Sequence, residues 1–386
     1  MSTPVQLGFG ASPRSTVGLE WEVALVDPAT GELTQTAPQV LEALERSPLQ
    51  AQGGSHVTGE FMKNTVEMVT GVCRTVADAG ADLTRTMDRL RTVTEPLGIE
   101  LMGGGTHPFA RADDQELTDN ERYARILDRT KVWGAQLLIW GLHVHVGVEH
   151  RDKALPLMRG LLSYFPHLQA LSAGSPYWAG ENTGYASNRA MLFQQLPSAG
   201  LPIAFETWAD LEAYAGDMVE VGAVEAFSEI HWDVRPSPRF GTLEVRVCDA
   251  PTNLTEALAL GALVQCLVEH LSTQLDEGRE LTVLPSWFHE ENKFRAARYG
   301  LDATVILDAQ GSQGLLADQV GKLLIELEPV AQRLGCAEEL AGVRDILRGG
   351  APYQRQQAVA AAHDGDLVPV VRAMINEMRT GRPLPS

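Results

Sequence analysis

Three short stretches of this chain alternate apolar residues with acids or imidazoles, and no other feature restricts the fold as much. Residues 17–26 put Val17, Leu19, Trp21, Val23 and Leu25 on one face of a strand and Glu20 and Glu22 on the other. Residues 142–148 alternate Leu142, Val144, Val146 and Val148 with His143, His145 and Gly147. Residues 243–248 alternate Leu243, Val245 and Val247 with Glu244, Arg246 and Cys248. A candidate fourth strand, 66–70, turns Glu67 away from Val66 and Met68, with Glu60 in the loop before it. A side-chain period of two sends Glu20 and Glu22 to the same face, about 7 Å apart along the strand.

Taken singly, each pattern has a plain explanation. An isolated pair of acids two apart reads as the solvated face of an edge strand, and two histidines on one strand read equally well as polar surface or metal ligands. Glu60 and Glu67 alone read as surface. Glu244 and Arg246 would make a cross-strand ion pair, worth at most about 1 kcal/mol if exposed. The combination is more specific. If these strands are neighbours, one concave face gathers Glu20, Glu22, Glu67, His143, His145, Glu244 and Arg246. With Glu60, five carboxylates facing a single arginine would repel one another unless cations stood between them. Hard divalent ions such as Mg²⁺ take carboxylate oxygens and bridge to phosphates, so the pattern points to a Mg²⁺–nucleotide site. No GxxxxGK[ST] phosphate loop occurs. The run Gly103-Gly104-Gly105-Thr106-His107-Pro108 follows a strand at 99–102 and could bring backbone amides to a ligand, although glycine content alone fits a plain loop equally well.

The charge of −19, from 31 basic and 50 acidic residues, argues against nucleic acid or an anionic membrane surface as a partner. The longest apolar run, 257–268, contains Gln265 and is followed by Glu269, so no bilayer span of about 20 residues is expected. The first 15 residues lack the pattern of a signal peptide. Cys73, Cys248, Cys266 and Cys336 are far apart and read as buried, reduced thiols, with the cytoplasm as the expected location. A helix is expected over 76–97, stopped by Gly98. A long loop is expected between Gly174 and Pro202, and a helix capped by Asn253, with Glu256 completing a capping box. From about residue 254 the pattern is almost wholly helical. The expectation is one α+β domain spanning 1–386, with helices covering the apolar side of the sheet.

Six collinear blocks carry a resemblance to a known family. They are TVGLEWEVALVDP at 16–28, GTHPF at 105–109, GLHVHVG at 141–147, SPYW at 175–178, TGYAS at 183–187 and WDVRPSPRFGTLEVRV at 232–247. They resemble the carboxylate–amine ligases of the glutamate–cysteine ligase type 2 group, over roughly two thirds of the chain. The resemblance implies a glutamine synthetase/guanido kinase-like fold: a curved, mainly antiparallel sheet with a concave active-site face and helices on the other. It implies ATP and Mg²⁺ or Mn²⁺ as cofactors, with Glu20, Glu22, Glu60, Glu67, His143 and Glu244 at metal-ligand positions. Arg246 matches a basic residue beside the transferred phosphoryl group, so Arg246, Glu67 and Glu244 are the expected catalytic set. Arg189, Arg235, Arg239, His107 and His145 are candidates for contacts to ATP or substrate. The implied reaction joins a carboxylate, that of glutamate, to an amine, that of cysteine or another, through an acyl phosphate. A homodimer is the expected assembly. Two other readings stay open: a Zn²⁺- or Fe²⁺-dependent hydrolase built on the HxH strand, and a ligand-binding protein that keeps the fold without catalysis.

Overall fold

A computed structural model describes residues 5–47 and 53–384. In chain order the strands are β1 (Val17–Val26), β2 (His56–Gly59), β3 (Thr65–Val69), β4 (Glu100–Met102), β5 (Gly141–Gly147), β6 (Tyr177–Trp178), β7 (Glu181–Asn182), β8 (Val234–Ser237), β9 (Thr242–Asp249), β10 (Thr304–Ile306) and β11 (Gln313–Leu315). Seven of them form one sheet in the order β2-β3-β1-β5-β9-β8, with β4 following β5 along the same edge of β1. Every ladder in it is antiparallel.

The alternation in β1 has a direct physical result. Val17, Leu19, Trp21, Val23 and Leu25 are buried, while Glu20 and Glu22 on the opposite face keep partial access. Two long helices, Val76–Thr94 and Leu254–Asp276, cover the apolar face. Gly261 permits the close approach of the second, since a Cβ there would sit 3.2 Å from Leu19 Cδ2. The sheet is thus sealed on one side by helices and open on the other, the α+β arrangement with a concave ionisable face.

Several local expectations need adjustment. The α-helix from Val76 ends at Thr94; a 3₁₀ turn, Glu95–Leu97, completes it before Gly98 at φ 70°. The 174–202 segment is not a featureless loop, since it holds the β6–β7 hairpin and a helix, Asn188–Phe193. The β10–β11 hairpin interrupts the C-terminal helices Ser286–Tyr299, Leu316–Leu334, Ala337–Gly349, Pro352–Ala362 and Val368–Thr380. Asn253 caps as expected, its side chain accepting from Glu256 N at 3.0 Å, but the Glu256 carboxylate pairs with Asn253 Nδ2 and Arg355 instead of closing a capping box.

The helix Leu254–Asp276 also corrects the argument from run length. It is long and apolar enough to span a bilayer by length and composition, despite Gln265 and Glu269. Most of it is buried against the sheet and the neighbouring helices, as a core helix is. All four cysteines are buried and free, with the Cys266 and Cys336 sulfurs 3.5 Å apart.

Candidate functional site

The open face of the sheet floors a cavity of about 760 Å³. Strand register explains what lies there. Glu22 on β1 stands directly opposite Glu67 on β3, and Glu20 stands opposite His143 on β5. His145 stands opposite Glu244 on β9, which in turn faces Arg235 on β8. Glu60, just past the end of β2, completes the group. The ladder between β5 and β9 is irregular opposite His143, where Arg246 and Val247 face one residue. Such a bulge shifts side-chain parity and re-aims residues beside sites. Arg246 therefore stays on the cavity face while Cys248 pairs with Leu142 on the apolar face, which corrects the simple alternation expected for 243–248.

Three groups of side chains bring potential metal-ligand atoms within 4.8 Å of one another: Glu22, Glu60 and Glu67; Glu20, Glu67 and His143; Glu20, His145 and Glu244. Glu67 belongs to the first two and Glu20 to the last two, so the groups form a continuous row. At its far end Arg246 bonds to Glu244 Oε1, and Arg235 Nε donates to Glu244 Oε2 at 2.7 Å.

The electrostatics divide the row. Burial, reinforced by the charge of Glu22, pushes the Glu60 carboxyl up to about 8. Burial and the neighbouring Glu60, Glu20 and Glu22 charges hold Glu67 well above the usual carboxylate range. At the other end burial also opposes ionisation, but the arginines and imidazoles outweigh it. Arg246 and Arg235 hold Glu244 low, and a hydrogen bond from His143 together with the adjacent His145 imidazole holds Glu20 low. One end of the row is short of positive charge, and the other is already paired.

Of the residues singled out from sequence, eleven line this cavity: Glu20, Glu22, Glu60, Glu67, His143, His145, Arg189, Arg235, Arg239, Glu244 and Arg246. Arg189 lies against Gly141, where a Cβ would stand 2.2 Å from the guanidinium, so glycine at the start of β5 makes room for it. Arg235 is largely spent on Glu244 and the carbonyls of Ser228 and Ile230, which leaves it holding Glu244 more than reaching for a ligand. His107 is not brought to the site. It is fully buried away from the cavity, with Nε2 bonded to the Gly31 carbonyl at 2.8 Å and Nδ1 accepting from the amides of Phe109 and Ala110. Both nitrogens serve the loop, so the ligand-binding expectation for His107 is withdrawn.

The cavity also holds residues that no sequence pattern pointed to. Arg122 and Tyr123 reach it from the exposed helix Glu121–Thr130, and His231 from the segment before β8. Burial and the nearby Arg246 and Arg235 push the His231 imidazole down to about 3. Tyr123 packs edge-on to Phe61, with ring centroids 5.3 Å apart. These positions are set by long-range packing, and no local signal marks them.

The family model for Glutamate-cysteine ligase family 2 matches residues 16–373. This chain belongs to that family. A relative in Paenarthrobacter aurescens, provisionally named glutamate–cysteine ligase 2-2, is 50% identical over 380 residues, covering 98% of this chain and 99% of the relative. One in Leifsonia xyli, provisionally named glutamate–cysteine ligase 2, is 53% identical over 378 residues, covering 97% and 99%. Among solved structures, a glutamate–cysteine ligase of Francisella tularensis in complex with AMP superposes with a TM-score of 0.64 at 16% identity, covering 96% of this chain and 90% of that one. A bifunctional glutathione synthetase of Pasteurella multocida gives the same TM-score at 15% identity, covering 95% of this chain and 51% of that one. At these identities the two structures establish the shared fold.

Proposed function

We propose that this member of the family is an ATP-dependent carboxylate–amine ligase that makes a γ-glutamyl amide, with glutamate as the carboxylate and cysteine or another amine as acceptor. The observation that carries the reading is the row of three carboxylate-rich groups ending against Arg246. Hard oxygen donors, joined by one imidazole in two of the three groups, suit Mg²⁺ or Mn²⁺, and the raised carboxyls of Glu60 and Glu67 fit a site short of positive charge. Glu20, Glu22, Glu60, Glu67, His143 and Glu244 would hold such ions, which supply neutralisation of the phosphate charge when bound.

The chain's own part is positioning and charge. Arg246, clamped by Glu244, is placed to stabilise negative charge on the transferring phosphoryl group. Arg189 and Arg239, each stacked on a neighbouring phenylalanine, are placed for anionic groups of substrate or nucleotide. In the reaction the glutamate carboxylate oxygen bonds to the γ-phosphorus as the bond to the bridging oxygen breaks and ADP leaves. The amine then bonds to the acyl carbon, the carbon–oxygen bond breaks, and phosphate and a proton depart.

Among the described residues His143 and His145 fall in separate groups of potential ligand atoms, each shared with carboxylates, which favours the ligase reading over a hydrolase that binds one ion through both histidines. The decisive experiment measures ADP release with Mg²⁺ across pairs of amino acids, omitting each in turn. Release that depends on both substrates, and is lost in Glu67→Gln and Glu244→Gln with the circular dichroism spectrum kept, supports the ligase. No nucleotide turnover with any pair would leave a ligand-binding protein.

A further inference from the structure

His145 Nε2 is a buried nitrogen without a hydrogen-bond partner. It lies 3.2 Å from Glu20 Oε1, but the alignment is not that of a hydrogen bond. The other ring nitrogen, Nδ1, is 2.9 Å from Thr242 Oγ1. Thr242 is buried at the start of β9, its backbone paired with Gly147 on β5 and Ser237 on β8, so the strands fix where its hydroxyl stands. Phe240 meets the same imidazole edge-on at 5.9 Å. The ring is therefore held by a hydroxyl and an aromatic edge, while its free nitrogen faces acids. A buried N–H with a carboxylate this near would be expected to aim at it. A bare lone pair gathered with Glu20 and Glu244 instead completes a set of three donors around one point.

We infer that Thr242 is a positioning residue whose hydroxyl accepts the Nδ1–H of His145, presenting the Nε2 lone pair with Glu20 and Glu244 as a mixed nitrogen–oxygen cation position. The inference rests on the ligase reading of the carboxylate row, and it moves His145 from nucleotide contact to metal ligand. A histidine ligand commonly has its other nitrogen bonded in this way, which fixes the tautomer. An imidazole donor also makes this position more favourable to Mn²⁺ than the all-carboxylate Glu22–Glu60–Glu67 position at the other end of the row.

The test is Mn²⁺ binding to the full chain without nucleotide, read from the electron paramagnetic resonance of free Mn²⁺. The Thr242→Val variant should weaken one class of site by about 10–100-fold, the range seen when such a supporting partner is removed. Thr242→Ser should restore it, and His145→Gln should abolish it. A second readout needs no variant: nitrogen-15 NMR of the metal-free wild type in alkaline buffer should show the Nδ1–H tautomer for His145. A Thr242→Val titration that superimposes on wild type, or an Nε2–H tautomer, would overturn the inference and leave the ligase reading standing. Absence of Mn²⁺ binding by the wild type would overturn the inference together with the metal assignments of that reading.

Discussion

Glu67 and Glu244 occupy the same sheet face, are both buried, and respond oppositely to loss of charge. Glu67 is buried, has acidic neighbours and no cationic hydrogen-bond partner, so in metal-free protein its ionised form is a cost that the charge of Arg246 offsets only in part. Glu67→Gln should raise the stability of the metal-free chain by about 1 kcal/mol, the usual gain when a functional group poorly suited to the fold is replaced, while removing ATP turnover. Glu244 lies between Arg235 and Arg246, and Glu244→Gln strands two largely buried guanidinium groups. That change should cost about 3 kcal/mol or more. Urea unfolding of both variants checks the pair of signs, and a loss of stability in Glu67→Gln would refute the first. His107 gives a pH prediction independent of the site. Burial holds its imidazole down to about 4, against 6.5 for the free side chain. Between those values the unfolded chain takes up a proton that the folded chain refuses, so stability should fall as pH drops through the window. His107→Gln, which does not titrate there, should flatten the acid-side fall in melting temperature.

At the scale of elements, β1, β5 and most of β9 were legible because each has one face buried and one ionisable, and a period of two then records burial directly in the sequence. The bulge in β9 was not legible: the partner strand imposes the extra residue, and only pairing with Leu142 reveals that Cys248 has changed face. Glu60 was legible through the resemblance more than through its neighbours. Arg122, Tyr123 and His231 were invisible because their place in the cavity depends on how distant segments meet. The helix Glu121–Thr130 has no buried residue to reveal its partner, and is tied to the segment below by Arg125–Glu225 and Arg122–Glu229 contacts. Asn253 caps the central helix as its position in the sequence predicts, although without the capping box, and the cap predicts its own cost. Asn253 is buried, accepts from Glu256 N and donates to Thr252 and Glu256. Asn253→Ala should therefore lower stability by about 1–2 kcal/mol. Chemical denaturation measures the loss, and an unchanged midpoint would mean that the cap contributes nothing.

At the scale of the whole molecule, we propose that the sheet and the C-terminal helices are one folding unit. A single cluster of buried side chains runs from Val17 to Met378. The last helix, Val368–Thr380, packs back on the first half of the chain: the Met374 methyl lies against Gly104, where a Cβ would be 2.4 Å from it, and Arg379 pairs with Glu100 on β4. Arg355 joins Glu256, at the start of the central helix, to Glu377, and Thr252 bonds to that same Glu377. The partners of this network are buried, so removing one side would leave the others unpaired as well as exposing apolar surface. Calorimetry of the full chain should show one transition whose van't Hoff and calorimetric enthalpies agree. Truncation after Asp366 removes the buried Val370, Val371, Met374, Ile375 and Met378, and it leaves Arg355 without Glu377. That form should lose the cooperative transition throughout, including the tryptophan signal of Trp21 and Trp140 beneath the carboxylate row. A truncated chain that kept a sharp transition and bound Mn²⁺ like the full one would show that the sheet stands alone and that the terminal helix is an accessory.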